Sequence, residues 1–126
     1  EMLRLCGVDP DTLPADVVDR SVTLLQERED VDGMDRAFLA AARSLVKLLV
    51  DPRRYRQAMA SIDDPVLLVH GDRDRLVPVA AARDIARRHP AWQYVEMPGV
   101  GHVPQLQVPE ELAREVLDWM RTVVRV

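Results

Sequence analysis

The apolar positions of this chain change their period near residue 62. Before it they recur every three or four residues, the spacing of a helix with one apolar face. Val17, Val18, Leu24 and Leu25, with Ser21 among them, form such a face in a helix opening at Thr12-Leu13-Pro14, where proline suits the first turn. A charged break follows over Glu27 to Gly33. Met34, Phe38, Leu39, Ala42, Leu45, Val46 and Leu49 then repeat the helical spacing. Asp51-Pro52 stops that helix and starts another, which carries Tyr55, Met59 and Ile62. Residues 1–61 are thus expected to be helical throughout.

Beyond residue 62 the pattern is different. Val66 to Val69 is a short continuous apolar run ending before Gly71, as in a strand buried on both faces of a parallel sheet. Val79 to His89 reads as a helix with Ala81, Ala82, Ile85 and Ala86 facing inward. Trp92 to Met97 reads as a second strand. Glu110 to Val124 reads as a last helix, entered through Pro109-Glu110-Glu111, with its acids where the helix dipole favours them. Leu112, Val116, Leu117, Met120 and Val123 form its apolar stripe. The order β-α-β-α predicts an α/β architecture with parallel strands and covering helices. A parallel pair with apolar faces needs further strands, because its free edges present unpaired N–H and C=O groups. The chain also opens on Glu1 rather than methionine. Both features predict an excerpt or cleaved product of a longer protein, or a chain completed by a partner.

Composition narrows the picture further. The 126 residues are 48 % apolar and 30 % charged, as in a soluble globular chain. A net charge of −4 argues against a nucleic-acid partner, which would call for a basic face. The pairs Arg53-Arg54 and Arg87-Arg88-His89 read as solvated helix faces. No apolar run is long enough to span a bilayer, and no secretory pattern precedes the first helix. Cys6 is the single cysteine, which suits a reducing, cytoplasmic location. There is no internal repeat and no low-complexity tract.

The chemistry sits in two turns. Asp74 lies three residues after Gly71, in the turn closing the first strand. His102 lies in Gly99-Val-Gly-His, in the turn closing the second. An open α/β sheet places its ligands at this carboxyl edge. An acid that accepts the histidine Nδ1 proton fixes the tautomer and stabilises the imidazolium, so the pair makes two-thirds of a hydrolase triad. Taken singly, an aspartate in a glycine-rich turn is more often an Asx turn or helix cap, and a Gly-His loop is more often structural. At the ends of consecutive strands joined by a helix, each strengthens the other. Asp72 is an alternative acid, better suited to hydrogen-bonding the turn. His70, at the end of an apolar strand, reads as a packed core histidine, and His89 as exposed. A metal site from His70, Asp72, Asp74 and His102 lacks the short His-x-His or His-x-x-x-His spacing that would support it.

Two stretches resemble a known family. Pro65-Val-Leu-Leu-Val-His-Gly-Asp-Arg-Asp-Arg-Leu-Val-Pro78 resembles the strand and acid turn of α/β-hydrolase-fold proteins. Pro98-Gly-Val-Gly-His-Val-Pro-Gln-Leu-Gln-Val-Pro-Glu110 resembles their histidine turn and final helix. The likeness spans residues 63–120, and residues 1–61 fit more loosely as a helical cap. It implies a partial α/β-hydrolase fold, with a cap region at 1–61 and the C-terminal β-α-β-α part of the core at 62–126. It also implies that Asp74 is the triad acid and His102 the triad base, acting on a small-molecule ester-like substrate without metal or organic cofactor.

One departure from the family is large. Its Gly-x-Ser-x-Gly elbow occurs nowhere in the chain. Ser21, Ser44 and Ser61 lie inside helical patterns, and Cys6 in Leu-Cys-Gly lacks a preceding strand. The chain is therefore expected to be silent by itself, as the C-terminal part of a hydrolase. Two other readings stand beside this one: a non-catalytic module that self-associates as a homo-oligomer, and one half of a split hydrolase awaiting its N-terminal half.

Overall fold

The structure, a computed structural model, describes residues 2–29 and 31–123. Glu1, Asp30 in the expected charged break, and Val124 at the expected end of the last helix lie outside the described residues. The chain divides into two compact units, one of Glu1–Val18 with Pro65–Val126 and the other of Asp19–Asp64. A linear division at residue 62 thus differs from the observed grouping, because the first 18 residues pack with the C-terminal part.

The N-terminal stretch holds α1 (Met2–Leu5), a 3₁₀ turn (Pro10–Thr12) and the start of α2 (Ala15–Glu29). Helix α2 runs through Glu27 and Arg28, where a break was expected from charge. Glutamate and arginine are good helix formers, so charge alone does not end a helix. The turn comes later, at Gly33, whose φ of 80° is left-handed. Helix α3 (Met34–Leu49) follows, then α4 (Pro52–Ala60). Asp51 caps α4 as the sequence suggests, its Oδ1 accepting the Arg53 and Arg54 N–H groups at 3.0 and 3.3 Å. The apolar stripe of α3 is not buried: Phe38 is 70 % exposed, and Leu45, Val46 and Leu49 are exposed as well.

The other unit is built on a two-stranded parallel sheet. Strands β1 (Leu67–Gly71) and β2 (Gln93–Met97) pair in register from Leu67 opposite Gln93 to Gly71 opposite Met97. Helix α5 (Val79–Arg88) makes the crossover that parallel pairing requires. Two helices complete it, the short α6 (Pro104–Gln107), unforeseen in the sequence, and α7 (Pro109–Val123). Ala82 of α5 is buried, but Ala81 is exposed, contrary to its expected inward place. His89 is half-buried rather than exposed, with its ring stacked on Trp92 at a centroid distance of 4.4 Å. Cys6, Val8, Ala82, Met97 and Val100 form the buried apolar core. Met97 and Val100 lie at the carboxyl end of the sheet, where the aspartate and histidine turns begin.

Candidate active site

The strand register carries the two turns to one place. Beyond the last rungs of the ladder, the Asp72 N–H donates to Met97 O at 3.1 Å and the Arg73 N–H to Val100 O at 2.9 Å. The Asp72 carboxylate accepts the Gly99 N–H at 2.6 Å, tying the acid turn to the histidine turn. Gly99 itself has a left-handed φ of 75°, which glycine adopts without strain. Asp72 therefore binds backbone, as a turn residue, rather than reaching His102.

Asp74 is held from several sides. Its Oδ1 accepts the Leu76 and Val77 N–H groups at 2.8 and 2.9 Å. Its Oδ2 lies 2.8 Å from His102 Nδ1 and 3.4 Å from His70 Nε2. The Asp74 side chain is 3 % exposed, that of His102 39 %. Burial pushes the Asp74 carboxyl up, but hydrogen bonds from Val77, His102 and Leu76 outweigh it and hold the carboxyl below its ordinary value. Since a carboxylate can only accept, His102 Nδ1 carries the proton. Nε2 then presents a lone pair, and it has no hydrogen-bond partner among the described residues. That is the arrangement of a general base oriented by an acid.

The N-terminal segment also supports this turn, which the sequence did not signal. The His102 N–H donates to Cys6 O at 2.8 Å. A Cβ at Gly101 would fall 2.5 Å from Cys6 O, so the backbones meet too closely for any side chain there. The Gly101 N–H donates to Gln107 Oε1 of α6 at 2.7 Å. A cavity of about 310 Å³ opens beside the pair, lined by Leu68, His70 and Ile85 with Asp74, His102 and Pro104. Among the described residues no group of three or more His, Cys, Asp or Glu side chains is arranged to hold a metal ion. No helix among them is long and apolar enough to cross a membrane.

A second polar cluster lies on the same unit. Arg83 grips Glu96 through two bonds of 2.8 and 2.6 Å, and the Tyr94 hydroxyl donates to Glu96 at 2.8 Å. The Arg83 and Tyr94 bonds hold the Glu96 carboxyl down at about 2. Glu96 and Asp74 both titrate below their unfolded values. Their stabilisation is fully present above pH 4 to 5 and is lost as pH falls through the folded values. Thermal melting at constant ionic strength should therefore be flat above pH 5 and fall steadily towards pH 2. The fall should be shallower in Glu96→Gln.

The chain is similar to known proteins over most of its length. The sequence pattern of the alpha/beta hydrolase family matches residues 4–115. A pimeloyl-[acyl-carrier protein] methyl ester esterase of Aromatoleum aromaticum is 37 % identical over 89 residues, covering 71 % of this chain and 35 % of that protein. A monoacylglycerol lipase of Mycolicibacterium smegmatis is 33 % identical over 84 residues, 65 % of this chain and 29 % of that protein. The acetyltransferase component of an acetoin cleaving system from Pseudomonas putida is 27 % identical over 93 residues, 72 % of this chain and 23 % of that protein. No solved structure gives a match. The chain spans about a third or less of the length of these curated relatives. With the family's pattern running over most of its length, and β1, α5 and β2 in the order of an α/β sheet, the chain belongs to the alpha/beta hydrolase family.

Proposed function

We propose that this chain supplies the acid and the base of an ester hydrolase, Asp74 and His102, and that the nucleophile comes from residues outside it. One observation carries the reading: the 2.8 Å bond from His102 Nδ1 to a carboxylate whose other oxygen is fixed by two backbone N–H groups. Such a pair removes the proton from an attacking hydroxyl. In the reaction a serine hydroxyl adds to the ester carbonyl while His102 Nε2 takes its proton. Asp74 stabilises the imidazolium so formed. His102 then protonates the departing alcohol, and water, deprotonated by the same nitrogen, releases the acid from the serine. No Gly-x-Ser-x-Gly stands in the sequence to supply that serine. Carboxylic esters are the substrate class, in keeping with the ester-cleaving names of two relatives. Residues 19–64 serve as the helical cap region, and the lone Cys6 suits a cytoplasmic setting.

The test is turnover of p-nitrophenyl butyrate. The chain alone should give none that depends on His102. Placed in the Aromatoleum esterase in exchange for the stretch it matches, it should restore hydrolysis. Turnover by the chain alone that vanishes in His102→Ala would contradict the proposal and return attention to Ser21, Ser44, Ser61 and Cys6.

A second reading, self-association, rests on a different observation. Among the described residues the sheet has two strands, so each keeps an unpaired edge. A mass above that of the monomer by light scattering would favour it; a strict monomer at high concentration would not.

A further inference from the structure

We infer that His70 is a positioning residue for the acid, clamping the Asp74 turn to strand β1 through its Nε2–H. His70 Nε2 lies 3.0 Å from Val77 O. A carbonyl oxygen can only accept, so this nitrogen carries the proton and the tautomer of the neutral ring is set. The same nitrogen lies 3.4 Å from Asp74 Oδ2, on the oxygen that also receives His102. The His70 side chain is 12 % exposed, so water competes little for these contacts.

The consequence is a turn held from both directions. Asp74 Oδ1 accepts the N–H groups of Leu76 and Val77, and His70 Nε2–H donates to the C=O of Val77. The first set lies within the turn and could move with it. The second refers the turn to the sheet, because His70 is fixed in the ladder opposite Glu96. Glu96 is itself engaged by Arg83 and Tyr94 and leaves the His70 Nε2–H to the turn. Asp74 Oδ2 therefore sits between two imidazoles with different duties. His102 is the base, and His70 fixes where the carboxylate stands. The sequence-based reading of His70 as a packed core residue gave it no part in the site.

This inference rests on the reading of Asp74 as triad acid, and its test does not depend on turnover. Nitrogen-15 NMR of the imidazoles in the 126-residue chain reports both rings. The wild type should show His70 as the Nε2–H tautomer and a low-field Nδ1 proton on His102. His70→Gln, whose amide can donate to Val77 O, should keep the His102 resonance. His70→Leu and the bulkier His70→Phe should broaden or lose it. The inference is overturned by a His70 ring in the Nδ1–H tautomer, which the wild type alone can reveal should both apolar variants fail to fold. It is equally overturned by an unchanged His102 proton in a folded His70→Leu, or by a loss in His70→Gln equal to that in His70→Leu. Failure of the triad reading would look different: the completed hydrolase, made by exchanging this chain into the Aromatoleum esterase, would keep full turnover in Asp74→Asn while the ring measurements stood as expected.

Discussion

Asp74→Asn, measured in the completed hydrolase, should lower kcat by about 10⁴-fold with KM nearly unchanged. The reason lies in how the two carboxylate oxygens are used. One accepts the Leu76 and Val77 N–H groups, and the other accepts His102 Nδ1. An asparagine has a single acceptor oxygen. If that oxygen stays with the two backbone donors, the amide NH₂ faces His102 and forces Nδ1 to accept. The ring proton then moves to Nε2, and the base has no lone pair to offer a hydroxyl. If the side chain flips, the turn loses its internal bonds instead. Either outcome leaves the imidazolium without a counter-charge. Ester hydrolysis kinetics of wild type and variant at the same pH measure the loss.

Gly71→Ala should destabilise the chain by about 3 kcal/mol, the upper range for a clash within a packed region. Gly71 ends β1 and has an ordinary backbone conformation, so space is what demands glycine there. A methyl group at this position would run into the backbone carbonyl oxygens of Val100 and Gly101. Neither can withdraw cheaply. Val100 O accepts the Arg73 N–H, and Gly101 is packed against Cys6 and Gly7. The variant must push the histidine turn away from the acid turn, so Asp74 and His102 should separate as stability falls. A melting midpoint lowered by roughly 10 °C checks the first effect. Loss of the low-field His102 proton checks the second.

Much of this arrangement was legible in the residues. The change of apolar period placed the two strands and the crossover helix within one or two positions, because buried parallel strands and amphipathic helices impose different repeats. The turns after Gly71 and at Gly99 to His102 followed from glycines at strand ends. What brings Asp74 to His102 was not legible. The bonds from Asp72 and Arg73 to Met97 and Val100 depend on strand register, which no local pattern records. The support from Cys6 joins residues about three quarters of the chain apart, and nothing in Leu-Cys-Gly announces it. His70 illustrates the same limit. A histidine in an apolar run is read as core, and only three-dimensional placement shows its Nε2 beside Val77 O and Asp74. Charge misled in the other direction at Glu27 and Arg28, where helix propensity prevailed.

His102, oriented by Asp74, is the proposed base of an ester hydrolase. The most direct measurement is p-nitrophenyl butyrate turnover by the completed enzyme, wild type against His102→Ala. The expected result is a loss of about 10³-fold or more in kcat, with the variant folded as judged by its melting curve. Turnover retained within tenfold in a folded His102→Ala enzyme would rule out that role, and would mean that the 2.8 Å bond between Asp74 and His102 serves the fold alone.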